Sequence, residues 1–230
     1  LAPFGLAALS DPNLQLYDSS GAVIAKNDNW QTTEIFGIIT SDQVSDIQNS
    51  GHTPSQAADS AIIVTLAPGA YTAIVSGVNG ATGIGIVEVF DLDTGSRLVN
   101  ISTRGLVQTG AANVMIGGLV ISGTHPKKVI IHAGGPSLAP FGLAALSDPN
   151  LQLYDSSGAV IAKNDNWQTT EIFGIITSDQ VSDIQNSGHT PSQAADSAII
   201  VTLAPGAYTA IVSGVNGATG IGIVEVFDLQ

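Results

Sequence analysis

The stretch Asp93–Ser137, DTGSRLVNISTRGLVQTGAANVMIGGLVISGTHPKKVIIHAGGPS, is the one long part of this chain that occurs once. Everything before it returns after it. Leu1–Leu92 reads letter for letter as Leu138–Leu229, a displacement of 137 positions. The order is therefore copy, unique segment, copy. Three apolar runs in the unique segment read as strands: Arg97–Thr103, Asn113–Ser122 and Lys127–Ala133. The middle run is apolar on both faces, and its Gly117-Gly118 pair predicts a bulge or bend. One set of three strands thus lies between two identical partners.

Each copy reads as a series of short strands. In the first, Leu1–Pro12 is a connector with room for at most one helical turn. Asn13–Asp18 alternates Leu14 and Leu16 with Gln15 and Tyr17, the pattern of a half-buried strand. Ser19-Ser20-Gly21 turns the chain into Ala22–Ala25, which makes a hairpin. The polar excursion Trp30–Ser60 follows, with a short helix expected from Asn29 through Glu34 and a second over Ser41–Asn49. Then come Ala61–Leu66, a Pro68-Gly69 turn, Ala70–Ser76, an Asn79-Gly80 hairpin signal and Ile84–Leu92. Ile84, Ile86, Glu88 and Phe90 share one face of that last strand, and Glu88 suggests a partial sheet edge. Counted from Arg97 to Leu229, this is eight strands with one or two short helices in a long loop. Short strands punctuated by Gly, Pro and Asn-Gly predict an all-β, jelly-roll-like β-sandwich.

Composition narrows the function classes. Hydrophobic residues make up 44% and charged residues 11% of 230 positions, so disorder driven by charge is excluded. With 19 Asp and Glu against 6 Lys and Arg, the net charge is −13. That argues against nucleic acid and anionic membrane as partners, which need basic patches. The chain has no cysteine, which rules out disulfides, thiol catalysis and thiolate-bound zinc. No apolar run approaches the roughly 18 residues of a membrane span. The start at Leu1, without a signal-peptide pattern, reads either as a processed chain or as a repeat window from a polymer.

The string DPNLQLYDSSGAVIAKNDNW (Asp11–Trp30, again Asp148–Trp167), followed by LAPGAYTAIVSGVNG, resembles the pre-peptidase C-terminal-like modules of secreted bacterial proteins. The whole 137-residue unit, with RLVNISTRG and KKVIIHAGGPSLA, also resembles tandem modules of long bacterial surface and secreted proteins. The resemblance implies a β-sandwich, an extracellular or cell-surface location, and an accessory or structural rather than catalytic part. The excursion Thr32–Ala58 departs most from the generic module.

No catalytic constellation emerges from the residues. His132 sits in an apolar strand and reads as a satisfied core histidine, while His52, His125 and His189 read as loop residues. There is no G-x-S-x-G elbow. Glu34, Asp42, Asp46 and Glu88 fit glycoside cleavage by residue type only. The glycines of Gly80–Gly85 precede a strand rather than a helix, so they form no phosphate cradle. No cofactor is expected. Calcium is the one ion to weigh, through Asp11, Asp18, Asn27, Asp28 and Asn29 at the ends of adjacent strands.

Strand arithmetic carries the functional expectation. Residues 1–92 form an incomplete copy lacking three strands, and 93–230 a complete repeat. The exchange interface is expected at Val99, Ile101, Val114, Ile116, Leu119, Ile121, Val129 and Ile131. Both flanking copies are identical, so these contacts fit either one, and only linker length and geometry choose. The expected role is a filament or stalk subunit whose partners are copies of itself, head to tail. The alternative is an accessory module holding carbohydrate or protein, which an exposed Trp30 or Trp167 would favour.

Overall fold

The computed structural model describes residues 6–93 and 98–229. The start of the N-terminal connector and Arg97, the expected first residue of a strand, lie outside the described residues. Two compact units make up the chain, Leu1–Gly95 and Ser96–Gln230.

Among the described residues the first unit holds one small sheet. Strand β1 (Pro12–Tyr17) turns through Gly21 into β2 (Val23–Asn27), and after helix α1 (Val44–Asn49) the chain returns as β3 (Thr72–Gly77). The sheet order is β2-β1-β3, antiparallel throughout. Ala61–Leu66 and Ile84–Leu92, read as strands from the sequence, form none here apart from an isolated bridge of Ile84 to Ala8.

The second unit adds the unique segment: β4 (Asn100–Val107), β5 (Met115–Ile121) and β6 (Lys127–Gly134). The repeated copy then supplies β7 (Pro149–Tyr154), β8 (Val160–Asn164), helix α2 (Val181–Asn186), β9 (Ser197–Leu203), β10 (Gly206–Gly214) and β11 (Gly220–Asp228). Two four-stranded antiparallel sheets result, β5-β10-β7-β8 and β4-β11-β6-β9. Numbering this unit's strands one to eight, the pairs are 1–8, 8–3 and 3–6 in one sheet, and 2–7, 7–4 and 4–5 in the other. That is the double Greek key of a jelly roll.

Two cores follow from the alternation of each strand. Val129, Ile131 and Ala133 of β6 face inward with Leu151, Leu153, Val212 and Val224. On the outer face of the same sheet, Ile130 packs with Trp167, Ile184, Ala198 and Ile200. The excursion between β8 and β9 therefore acts as a lid over this sheet. Asn164 pins it, donating to the carbonyls of Asn166 and Thr169 and accepting from the Ala198 N–H.

Several expectations are corrected. No helix follows Asn29: the Asn27 side chain ties the carbonyls of Asn29 and Thr32 into a turn, and Glu34 pairs with Lys26 at 2.8 Å. The second helix begins at Val44 rather than Ser41. Asn216-Gly217, the counterpart of Asn79-Gly80, makes no hairpin, because β10 and β11 belong to different sheets. Asn79 and Asn216 do adopt left-handed φ of 53° and 52°, so the turn chemistry is present but carries the chain between layers. No bulge occurs at Gly117-Gly118, which pair in register with Ala210 and Thr209. Gly117 is needed for another reason: a Cβ there would sit 2.9 Å from the Val224 side chain of the facing sheet. The strand carrying Glu225, equivalent to Glu88, is central rather than an edge, and β4 runs to Val107 because β11 pairs with it that far.

Ile131 is fully buried in the inner core while Val120 is 73% exposed on β5. In a Trp30→Phe background, where Trp167 reports the second unit alone, Ile131→Ala should destabilise by about 2–5 kcal/mol. Val120→Ala should stay within about 0.5 kcal/mol. Urea unfolding followed by fluorescence measures both, and equal effects would contradict this packing.

Candidate strand-exchange interface

β6 is the strand on which the second unit closes. It pairs with β11 on one side and β9 on the other, with Ile131 opposite both Val226 and Ile199. All of Val129–Gly134 is buried. A strand buried on both faces and bonded on both edges is continuous and apolar for that reason.

The same sequence without these three strands stands open in the first unit. Val224 and Val226 are 2% and 9% exposed, while their counterparts Val87 and Val89 are 44% and 49% exposed. Leu203 is 2% exposed against 37% for Leu66. Two anchors of the open edges nevertheless persist. The Gln43 side chain donates to the Ile63 carbonyl and accepts from its N–H, and Leu9 N–H donates to Ile84 O at 2.9 Å. The excursion is equally preserved, with Trp30, Ile39 and Ile47 all buried.

Of the residues expected at the interface, Val129 and Ile131 lie in the inner core, and Ile101, Leu119 and Ile121 pack against it. Val114 is half-buried just before β5, while Val99 and Ile116 are each 56% exposed. Alternation explains Ile116: Met115, Gly117, Leu119 and Ile121 take the inner face, so Ile116 faces out. Sequence reasoning missed Val107, Met115 and Ile130, all buried. Counting back in twos from Ile121 would have found Met115.

A polar pocket forms where the segment meets the copy, lined by His132, Ser137, His189, Asp196, Glu225 and Phe227. His132 stands directly opposite Glu225 across the strands. It is a core histidine as expected, 8% exposed and hydrogen-bonded to the His189 backbone, but its Nε2 has no partner. Burial, reinforced by the charge of His189, holds its pKa down to about 4. Burial, with Asp196 next, raises that of Glu225. His189 stacks on Phe227 at 4.0 Å, as His52 does on Phe90 at 3.8 Å. Asp196 Oδ1 accepts the Gly135 N–H at 2.9 Å, whereas Asp59 in the open copy takes the Gln56 N–H of its own loop through Oδ2 at 3.2 Å. At the strand end Lys127 reaches Asp228 at 3.1 Å.

Several of the oxygen ligands weighed for calcium are engaged in local hydrogen bonds. Asp155, equivalent to Asp18, caps its own turn by accepting from the Ser157 and Ala159 N–H groups. Asn27 and Asn164 are spent on the excursion. Asp148 and Asp165 do lie near each other: burial, then Asp148, raises the Asp165 pKa, and each keeps a buried Oδ1 without a partner. Among the described residues no group of three or more His and acidic side chains is placed to hold a metal. Trp30 and Trp167 are each 5% exposed, with indole N–H groups on the Gln56 and Gln193 carbonyls, so neither offers an aromatic platform. Among the described residues no helix is long and apolar enough to cross a membrane.

No protein-family model matches the chain, and no curated protein matches it. Among solved structures it is similar to the pre-peptidase C-terminal domain of a collagenase from Bacillus anthracis. That likeness covers 56% of this chain and 89% of the other, with 12% identity and a TM-score of 0.33. It is also similar to a structure of infectious bursal disease virus, Gx strain, over 97% of this chain and 57% of the other, with 9% identity and a TM-score of 0.20.

Closure should depend on pH through His132. A free imidazole titrates near 6.5, so a released segment takes up a proton as pH falls through 6.5, while the closed unit resists until about 4. The stability from the neutral, buried form is complete above pH 6.5, and on the order of 3 kcal/mol of it is lost by pH 4. Glu225 works in the opposite sense, since its raised pKa adds stability as pH falls through that value towards the ordinary 4.5. Urea midpoints of the second unit should therefore drop between pH 6.5 and 4. His132→Gln should flatten the drop and Glu225→Gln should steepen it. An identical profile in His132→Gln would remove this account.

Proposed function

We propose that this chain is a structural subunit of an extracellular or cell-surface filament or stalk, its repeats joined by strand complementation between neighbouring units. The observation that carries this reading is the pair of identical copies. One is an open half-sandwich and the other a closed jelly roll, and β4–β6 are the difference. Edge complementation by an added strand supplies backbone hydrogen bonds for affinity and side-chain pockets for register. Heterologous contacts of this kind propagate head to tail rather than closing on themselves. The role is architectural, and no catalytic step is assigned to any residue.

One feature favours a second reading, an accessory binding module for a protein ligand. Ile172, Phe173 and Ile175 are 63%, 39% and 46% exposed on the lid, and their counterparts Ile35, Phe36 and Ile38 repeat the pattern. Ile175 N–H is tied to Ile161 O at 2.8 Å, so this apolar tip is held in place rather than collapsed. Saturable binding to an isolated surface ligand, lost in Phe173→Asp, would move the assignment there.

The filament reading is tested by locking the segment into its own copy. Ser102 stands directly opposite Glu225, at a separation a disulfide spans, and the chain has no other cysteine. In Ser102→Cys/Glu225→Cys, the reduced protein should give ordered fibres in negative stain and the oxidised protein none. Fibres from the oxidised, folded protein would refute exchange between units. Removing residues 94–137 should also abolish them.

A further inference from the structure

We propose that the open copy is a receptor site for the segment Leu98–Gly134 itself. The segment would enter it in cis, giving a second closed form that is a circular permutant of the first. This rests on the strand-complementation part of the reading above, but not on filament formation.

The register of the closed unit fixes what the receptor must accept. Transposed by 137 positions, Phe227 opposite Asn100 becomes Phe90 opposite Asn100, and Glu225 opposite Ser102 becomes Glu88 opposite Ser102. Ile131 would then lie between Val89 and Ile62, the counterparts of Val226 and Ile199. Every side chain of the second copy that β6 meets has an identical counterpart in the first. Charge matches as well: Lys127, which reaches Asp228 at 3.1 Å, would meet Asp91.

The connection is short and runs the right way. β11 and β4 are antiparallel neighbours, so the counterpart of β11 ending near Phe90 can turn directly into β4 at Asn100. Nine residues separate Phe90 from Asn100, a length that short antiparallel connections use. No strand has to cross another. The strand order becomes the same jelly roll begun at its fourth strand, and circular permutation is tolerated where ends lie close.

The receptor is also prepared. In the open copy Gln43 already holds Ile63, and Leu9 already holds Ile84, in the same bonds that Gln180 and Leu146 make to Ile200 and Ile221 in the closed one. The lid residues Trp30 and Ile47 are already buried. The slot between Ala61–Leu66 and Ile84–Asp91, and the edges that β4 and β5 cover in the closed unit, lack their occupants. Since one segment serves two copies, filling this slot empties the other.

The test moves the segment by spoiling one copy. Val226→Asp places a carboxylate in the core of the second copy and leaves Val89 untouched. Combined with Glu88→Cys/Ser102→Cys, dilute full-length chain is refolded, oxidised and digested. The 88–102 disulfide is then read by mass spectrometry in the monomer peak. Val226→Asp should raise that crosslink at least tenfold over the parent and keep a cooperative urea transition reported by Trp30. The mirror variant Val89→Asp should show no such crosslink and keep the transition on Trp167. Failure of Val226→Asp to fold, or folding without the 88–102 crosslink, would overturn the proposal. A monomeric 88–102 crosslink in a protein that never forms fibres leaves this inference standing and removes the filament reading. Fibres without that crosslink do the reverse.

Discussion

The rest of the structure depends on the demand that β6 be enclosed on all four sides. Its edges need β9 and β11, its inner face needs the sheet built on β7 and β10, and its outer face needs the lid under α2. Enclosing Val129, Ile130 and Ile131 is worth about 4.5–9 kcal/mol as an upper bound, comparable with the whole stability of a domain. The converse also holds. Without this strand, β9 and β11 have no common neighbour, and the copy that lacks it shows neither as a strand. The identical 92 residues in two settings separate what is local in this fold from what is not.

The local part is the hairpin, the short helix and the lid. β1 and β2 pair in the same register as β7 and β8, down to the irregularity after Leu16 and Leu153. α1 and α2 occupy equivalent residues, and Trp30 and Trp167 donate to equivalent carbonyls. These features rest on contacts within the copy, so they survive the loss of the second sheet. The non-local part is that sheet, with the inner burial it creates: Leu151 and Leu153 are fully buried, whereas Leu14 and Leu16 stay half-buried over the same hairpin.

This division also explains what could be read in advance. The strands of the second unit were legible because period-two alternation and Gly turns report local geometry. Membership of a sheet is not local, and there the sequence misleads. Asn79-Gly80 carries the dipeptide of a tight hairpin and does take the left-handed conformation, yet the strands flanking its counterpart go to opposite layers. Ile116 looks equivalent to Leu119 in a run apolar on both sides, and only pairing with β10 decides which faces the core. Glu88 looked like an edge marker because a carboxylate in a central strand is costly. In the closed unit Glu225 is tolerated there by facing the lid pocket beside His132. That pocket was invisible from sequence, since half of it comes from the segment and half from the copy.

Identity between the copies makes the choice of partner unusually delicate. Side-chain contacts cancel between the two closed forms, so what remains is connection. Direct closure uses the link 135–148, while the permuted form uses 91–99. By loop-closure entropy links of these lengths differ by about 0.4 kcal/mol. The structure shows the direct form, and one buried charge in the core of the second copy would exceed a difference of that size. A repeat that had drifted would hold its segment by many small differences in packing. Here nothing but a short connector distinguishes the correct neighbour from the wrong one, and the same degeneracy that permits exchange along an array leaves each segment only lightly committed to its own unit.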